Sequence, residues 1–127
     1  MINGAHVVIY TRDAEADRAF LRDVLGWPHV DAGHGWLLFR LPPAEVACHP
    51  ADGEPSHELM LMCDDLDETV TELTGKGVEF SRPVQVAAWG RVTGFRLPGG
   101  GEVALYEPRH PRAQDRTPPG PRPPATA

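Results

Sequence analysis

Polar side chains alternate with apolar ones in GEVALYEP, residues 101–108, and again in AEVACHP, residues 44–50. Because successive side chains of a β-strand point to opposite faces, Glu102 and Tyr106 should share one face of the later segment. His49 should lie on the corresponding face, at the end of the earlier segment. Carboxylate, phenol and imidazole groups transfer protons or bind metal ions in many enzymes. Both segments are therefore candidates for a functional site.

These two segments belong to a longer internal repeat. The FRLP of residues 39–42 returns at residues 95–98, and each copy is followed by turn residues and then by the tripeptide EVA. Upstream, each half of the chain has an apolar strand pattern, an aspartate suited to cap a helix, and a helical pattern of apolar residues. These aspartates are Asp13 and Asp65. An order of elements that occurs twice indicates a duplicated module.

Each half is predicted to fold as a strand, a helix and three further strands. The sequence therefore predicts an α+β fold of two tandem βαβββ modules, about residues 1–52 and 53–112, within one domain of residues 1–112. In the first module we expect a helix at about 14–24 and strands at about 5–11, 28–31, 35–41 and 44–49; in the second, a helix at about 66–75 and strands at about 58–63, 84–88, 91–97 and 102–107.

The remaining segment, residues 113–127, is rich in proline and poor in apolar residues. Such a composition cannot bury enough apolar surface to offset the entropy of ordering, which predicts a disordered tail. The net charge of −6 and the scattered basic residues argue against a nucleic-acid partner. No apolar run reaches the roughly 18 residues that a membrane span needs, and the first residues do not form a signal peptide pattern. With Cys48 and Cys63 as free thiols, we expect a cytoplasmic protein.

The two faces of the predicted strands differ in character. One face is aliphatic and should pack on the helices, whereas the other mixes aromatic, methionine and polar residues. Methionine and tryptophan are poor residues for a solvent-exposed surface, so the mixed face is predicted to line a ligand pocket, with a subunit interface as the alternative. The predicted pocket residues are Tyr10, Trp36, Met60, Met62, Trp89, Ala104 and Tyr106.

The sequence resembles the vicinal oxygen chelate superfamily, which includes glyoxalase I, bleomycin-resistance proteins and extradiol dioxygenases. The resemblance rests on HVVIYTRDAEADRAFLRDVLG, CDDLDETVTELTGKGVEF, the paired FRLP hairpins and the closing GEVALYEP. It implies a glyoxalase-like fold in which the two modules form a curled mixed sheet around a cleft. It also implies a small-molecule ligand or substrate in that cleft and assembly as a homodimer.

The resemblance further implies one divalent metal (Fe, Mn, Ni, Co or Zn) that acts as a Lewis acid. In this family the ligands come from the first and last strands of each module. His6 matches the first-strand position, and Glu58 matches it in the second module. His57 is the alternative to Glu58, since a shift of one residue exchanges the faces of a strand. His49 or Glu102 would complete the set, and Glu102 or Tyr106 would be the catalytic proton-transfer group.

Two alanines depart from the family pattern. Ala104 and Ala47 stand where the resemblance places the carboxylate ligands of the last strands. Glu102 and Glu45, two residues earlier, have an alternative role as ion-pair partners of Arg96 and Arg40 across their hairpins. Absence of a metal is therefore as plausible as its presence.

Three functions remain open on this basis. The first is a metal-assisted lyase, isomerase, epimerase or dioxygenase of small oxygenated metabolites. The second is a metal-free protein that binds and sequesters a drug or metabolite between aromatic walls. The third is a dimeric structural module without a ligand. The sequence does not decide between an enzyme and a binding protein.

Overall fold

Two helices and two β-sheets make up residues 5–116, the part of the chain that this computed structural model describes. None of the described helices is long and apolar enough to cross a bilayer. The elements in chain order are α1 (Ala14–Asp23), β1 (His29–Asp31), β2 (Leu37–Phe39), β3 (Met60–Met62), α2 (Leu66–Gly75), β4 (Phe80–Ala87), β5 (Gly90–Arg96) and β6 (Glu102–Pro108), followed by a 3-10 turn, Ala113–Asp115.

Both helices begin at the predicted aspartates. The Asp13 side chain accepts a hydrogen bond from the Ala16 backbone N–H at 3.0 Å, and Asp65 accepts one from the Glu68 N–H at 3.0 Å. Each carboxylate thereby satisfies a backbone donor that lacks a partner within its helix. After α2, Gly77 takes a positive φ of 86°, a conformation that glycine adopts without steric cost. The helix boundaries were therefore predictable from local sequence.

The second module has the predicted βαβββ order. Its sheet is arranged β3-β6-β5-β4, in which β3 runs parallel to β6 and the other pairs are antiparallel. Met60 lies opposite Ala104, and Met62 lies opposite Tyr106. Residues that lie opposite each other on neighbouring strands share a face of the sheet. The register therefore places these methionines on the same face as the centre of β6.

The main hydrophobic core lies between the other face of this sheet and both helices. Phe95 and Leu66 are fully buried in it, and the Phe20 ring of α1 stacks on Phe95 with centroids 6.0 Å apart. Burial of one such side chain contributes about 1.5–3 kcal/mol to stability. Because α1 belongs to the first module and β5 to the second, the modules share this core. Its buried members are Leu66, Leu73, Val78, Phe95, Leu97, Val103 and Leu105.

Strand β4 starts at Phe80, about four residues before the start that the sequence predicts. The strand includes Pro83, although proline donates no hydrogen bond to a neighbouring strand. The strand accommodates it because β4 lies at the sheet edge and its pairing with β5 shifts register on both sides of Arg82. Edge strands and register irregularities are the positions at which sheets tolerate proline.

The first module departs from the prediction at two strands. Only the β1–β2 hairpin forms its sheet within the described residues, and the predictions of strands at 5–11 and 44–49 are wrong. Segment 44–49 lies between Pro43 and Pro50, which cannot donate to a strand ladder, and its Val46 is 91 % exposed. In the second module the first strand, β3, pairs with the last strand, β6. The equivalent partner of segment 5–11 is segment 44–49, and because segment 44–49 forms no strand, segment 5–11 has no strand to pair with. The described residues consequently form no closed barrel.

The predicted tail lies mostly outside the described residues. Of residues 113–127, the structure describes 113–116, where Ala113–Asp115 forms the 3-10 turn. The Ala113 backbone N–H donates to the Glu45 side chain at 2.7 Å. The chain after β6 therefore returns to a segment of the first module.

Candidate functional site

The sheet face turned away from the helices carries a second apolar cluster. Val92, Ala104 and Tyr106 are buried there, and the half-buried Met60 and Met62 pack against them. We call these five residues the methionine face. Neither helix contributes a residue to this cluster. The alternation of side chains along β3 and β6 thus separates a helix-packed face from a methionine-rich one, as the sequence pattern indicated.

An aromatic side chain in the turn between β4 and β5 extends the methionine face. The Trp89 ring meets the Tyr106 ring edge-on, with centroids 5.2 Å apart and an interplanar angle of 79°. This edge-to-face arrangement is a favourable geometry for aromatic pairs. Trp89 remains 41 % exposed, so it forms a wall that a ligand can reach.

Polar groups meet at the Tyr106 end of the face. The Tyr106 hydroxyl lies 3.5 Å from Glu45 Oε1, a long hydrogen bond, and 3.3 Å from His110 Nε2. His110 Nε2 is in turn 3.8 Å from Glu45 Oε1. The three groups come from the connection between β2 and β3, from β6 and from the segment after it. Glu45 therefore contacts Tyr106 and His110. Within residues 5–116 it forms no ion pair with Arg40, contrary to the prediction.

This environment keeps the Tyr106 hydroxyl protonated. Burial raises the pKa of Tyr106, and the negative charge of Glu45 and the hydrogen bond to it act in the same direction. A phenol held neutral is a hydrogen-bond donor at physiological pH. The geometry therefore suits Tyr106 to positioning a polar group better than to acting as a base.

An ion pair occupies the opposite end of the same face. Arg82 Nε lies 3.3 Å from Glu102 Oε1, and the Ser81 hydroxyl donates to Glu102 Oε2 at 2.9 Å. Although Arg96 is opposite Glu102 in the strand register, Arg82 is the ion-pair partner of Glu102. The reason is Gly94, where a Cβ atom would lie 2.8 Å from Glu102 Oε1. With no side chain there, the carboxylate lies over β5 and reaches β4.

The candidate metal ligands are not gathered into one site. His6, His49, His57 and Glu58 are all exposed. No group of three His, Cys, Asp or Glu side chains within residues 5–116 is arranged to hold a metal ion. Around Ala104 the facing residues, Met60 and Gly94, supply neither oxygen nor nitrogen side-chain ligands. As placed within residues 5–116, these side chains do not form a donor set for the divalent metal that the resemblance implies. The assignment of His6, Glu58 and His49 as ligands stays a prediction.

The predicted pocket residues fall into two groups. Met60, Met62, Trp89, Ala104 and Tyr106 come together on or beside the methionine face. Tyr10 is 92 % exposed and Trp36 is 61 % exposed, outside this cluster. The Arg18 guanidinium lies over the Trp36 ring, 4.5 Å from its centroid. Tyr10 lies within segment 5–11, which forms no strand, and Trp36 directly precedes β2 in the β1–β2 hairpin.

A cavity of about 310 Å³ opens beside the Tyr106 end of the face. It lies at the carboxyl ends of the parallel strands β3 and β6, beneath the segment that follows β6. Cys63, Asp64, His110, Arg112 and Asp115 contribute to its walls. Burial raises the pKa of the Cys63 thiol, and the nearby carboxylates add to the shift. The thiol is therefore poorly suited to nucleophilic chemistry.

Glu45 and His110 were not identified as site residues from the sequence. Glu45 was assigned to a hairpin ion pair, and His110 lies close to the proline-rich end of the chain. The contacts of Glu45 with Tyr106 and Ala113 span 61 and 68 residues, respectively. The repeat does place Glu45 at the position of Glu102, which was the available signal that it belongs to the site.

The profile of the Glyoxalase/Bleomycin resistance protein/Dioxygenase superfamily matches residues 4–108. The chain belongs to this superfamily, which confirms the resemblance seen in the sequence. Comparison with curated proteins finds no match.

Solved structures with the same fold include proteins of different function. Lactoylglutathione lyase from Agrobacterium tumefaciens has 19 % sequence identity and a TM-score of 0.60, covering 82 % of this chain and 92 % of that one. TnmS3, an antibiotic binding protein from Streptomyces sp. CB03234, has 24 % identity and a TM-score of 0.54, covering 82 % and 99 %. The fosfomycin resistance protein FosX from Listeria monocytogenes has 17 % identity and a TM-score of 0.53, covering 84 % and 93 %. At these identities the similarity shows the shared fold.

Proposed function

We propose that this protein binds a small, largely apolar organic molecule on the methionine face without using a metal. The observation that carries the proposal is the composition of this face. Its accessible part consists of the half-buried Met60 and Met62 and the exposed part of Trp89. Methionine adapts its shape to different ligands, and tryptophan offers a rigid stacking surface. Polar groups lie at the two ends of the face, where they can orient a ligand.

The alternative is a metal-assisted lyase, isomerase or dioxygenase. It requires His6, Glu58 and either His49 or Glu102 to converge on one ion, with Glu102 or Tyr106 transferring a proton. The match of His6 to the family's ligand position supports this alternative, whereas the alanine at position 104 supports the metal-free proposal.

Elemental analysis distinguishes the two functions. The untagged protein would be purified from cultures supplied with Mn, Fe, Co, Ni and Zn, and its metal content measured by mass spectrometry. We expect substoichiometric metal that does not change in a His6→Ala variant. A stoichiometric ion that is lost on His6→Ala would overturn the metal-free proposal.

Direct binding can be observed through the methionines, since the chain has only three. Protein labelled with ¹³C at the methionine methyl groups would be titrated with acridine, a neutral aromatic probe, and assigned with Met60→Leu and Met62→Leu. We expect acridine to shift the Met60 and Met62 signals. The double variant Met60→Gln/Met62→Gln should bind at least about fivefold more weakly. Equal affinity in that variant and in the control Val86→Gln, at an exposed position of β4, would contradict the proposal.

The proposal extends to assembly and location. Several large apolar side chains of the first module are exposed, among them Val8, Tyr10 and Val46. Burying them between two copies of the chain supports a homodimer, which sedimentation velocity would detect. The free thiols Cys48 and Cys63 support a reducing, cytoplasmic location.

A further inference from the structure

Glu45 carries a largely buried carboxylate that no lysine or arginine of residues 5–116 contacts at ion-pair distance, although Arg112 is near enough to interact with its charge. Its side chain is only 18 % exposed. It receives a hydrogen bond from the Ala113 backbone N–H at 2.7 Å and a longer one from the Tyr106 hydroxyl at 3.5 Å. Among residues 5–116, the one side chain within ion-pair distance is His110, whose imidazole is charged only when protonated. A carboxylate in this setting is stabilised further by a fixed positive charge.

The surroundings of Glu45 match the chemistry of an organic cation. The Tyr106 hydroxyl contacts the carboxylate, the Trp89 ring packs edge-on against the Tyr106 ring, and Tyr106 belongs to the methionine face. Aromatic faces attract cations, most strongly where water is excluded, and methionine accommodates apolar groups of varied shape. A carboxylate at one end of an aromatic and thioether surface thus favours a molecule with an apolar body and a positively charged nitrogen.

We propose that Glu45 is a specificity-determining residue that selects organic cations with an aromatic or apolar body. This inference rests on the proposed function, because the body of the ligand would lie on the methionine face. In the described structure, the Ala113 N–H and the His110 imidazole contact the Glu45 carboxylate at the place that the ligand nitrogen would take. The segment after β6 therefore acts as an internal occupant that the cation displaces.

The cavity beside this site provides the space for such an exchange. His110 lines the cavity of about 310 Å³ and also contacts Glu45. Displacement of the imidazole would therefore open the cavity to the Glu45 carboxylate. That volume is at the lower end of the range of about 300–1,000 Å³ found for small-molecule sites. Asp64 and Asp115 also line the cavity, and Arg112 pairs with Asp115 at 3.0 and 3.1 Å. The balance of charge in its walls is therefore negative, which also favours a cation.

Three probes of one shape test the inference. N-methylacridinium is a permanent cation, acridine is neutral in a buffer above its own pKa, and acridine-9-carboxylate is an anion. Their affinities for the full-length protein would be measured by fluorescence titration at physiological ionic strength. We expect N-methylacridinium to bind about tenfold more tightly than acridine, and the anion to bind more weakly than both.

Variants of the carboxylate isolate its contribution. Glu45→Gln keeps the shape and removes the charge, and it should weaken N-methylacridinium binding about tenfold or more while changing acridine binding little. Glu54→Gln is the matched control, since Glu54 is an exposed carboxylate of the same connection between β2 and β3. It makes the same change in net charge and should leave both affinities unaltered.

Variants of the internal occupant should have the opposite effect. His110→Ala removes the imidazole, and Ala113→Pro removes the N–H that donates to Glu45. Proline suits the first position of a 3-10 turn, and Arg112 before it is already extended, with φ −90° and ψ 127°. Each variant should strengthen N-methylacridinium binding about two- to tenfold. The reason is that a smaller fraction of the protein then has the Glu45 carboxylate covered by the segment after β6.

The outcomes separate this inference from the function on which it rests. Cation selectivity that is lost in Glu45→Gln and increased in His110→Ala supports both. Equal binding of acridine and N-methylacridinium, unchanged by Glu45→Gln, overturns the role of Glu45 and leaves binding at the methionine face intact. No binding of any of the three probes overturns both.

Discussion

The Asp17 carboxylate accepts a hydrogen bond of 2.7 Å from the backbone N–H of Gly99, which fastens α1 to the turn between β5 and β6. Both residues are buried. Asp17 Oδ2 has no hydrogen-bond partner among the described residues. A Cβ atom at position 99 would collide with the Thr11 hydroxyl and lie 3.0 Å from both Asp17 oxygens. This close approach explains why the first glycine of the turn has no side chain.

Substitutions at Asp17 should separate the hydrogen bond from the charge. Asp17→Ala leaves the Gly99 N–H buried without a partner, and we expect a loss of about 1–3 kcal/mol in the free energy of unfolding. Asp17→Asn keeps an acceptor oxygen and removes a buried charge that is only partly compensated, so its loss should be smaller. Urea unfolding followed by circular dichroism measures both. Equal destabilisation by the two variants would contradict this account.

Glycine-to-alanine substitutions at two positions should change stability in opposite directions. Gly90 has a φ of 152°, and a Cβ atom there would collide with the Glu107 carbonyl oxygen. We expect Gly90→Ala to lower the free energy of unfolding by about 2–4 kcal/mol. Gly75 ends α2 with open space around its Cβ position. Gly75→Ala should therefore raise stability by about 0.5–1 kcal/mol. Thermal unfolding of both variants tests the difference in sign.

Proteolysis should report the contact between Glu45 and the segment after β6. Glu45→Ala removes the acceptor of the Ala113 N–H and the partner of His110. Local opening of this segment should become about 1–2 kcal/mol easier, which speeds tryptic cleavage after Arg112 about five- to thirtyfold. Mass spectrometry of short digests identifies the cleaved bond, and Glu54→Ala serves as the control. Cleavage of the two variants at the same rate would show that Glu45 does not restrain the segment.

The two cysteines should differ in their reaction with thiol reagents. Cys48 is exposed, whereas Cys63 is half-buried and its Sγ lies 3.6 Å from the Tyr106 carbonyl oxygen. Since burial and neighbouring carboxylates raise the Cys63 pKa, its reactive thiolate is scarcer than that of an ordinary thiol. We expect Cys63, measured in Cys48→Ser, to react with iodoacetamide at least about tenfold more slowly than Cys48, measured in Cys63→Ser.

The raised pKa of Cys63 also predicts how alkaline pH affects stability. The folded protein favours the neutral Cys63 thiol, so this contribution is fully present below the pKa of the unfolded thiol. It is lost as the pH rises through the higher pKa of the folded state. The free energy of unfolding should therefore decrease less steeply above about pH 9 in Cys63→Ala than in the unmodified chain. Parallel curves for the two proteins would contradict the assignment.

Local signals account for what the sequence predicted well. Asp13 and Asp65 cap their helices through contacts within one turn, and the alternation in β3 and β6 assigns Met60 and Ala104 to one face. These patterns are visible within a few residues of each other. The family resemblance and the α+β class followed from the order of such elements.

Long-range contacts account for what the sequence did not predict. Whether segments 5–11 and 44–49 form strands depends on their pairing with each other, which no local pattern reports. The partner of Glu102 is set by the register shifts of β4 and by the missing side chain at Gly94. The contact of Glu45 with Tyr106 joins residues far apart in the chain, so only the repeat alignment hinted at it.

The irregular course of β4 has a consequence for the protein at high concentration. A regular edge strand presents a row of free N–H and C=O groups that can recruit another chain into a growing fibril. In β4, Pro83 supplies no N–H, and two register shifts interrupt the row. At the opposite edge of the sheet, β3 is only three residues long. Neither edge offers a long template, which protects the four-stranded sheet from amyloid-like extension.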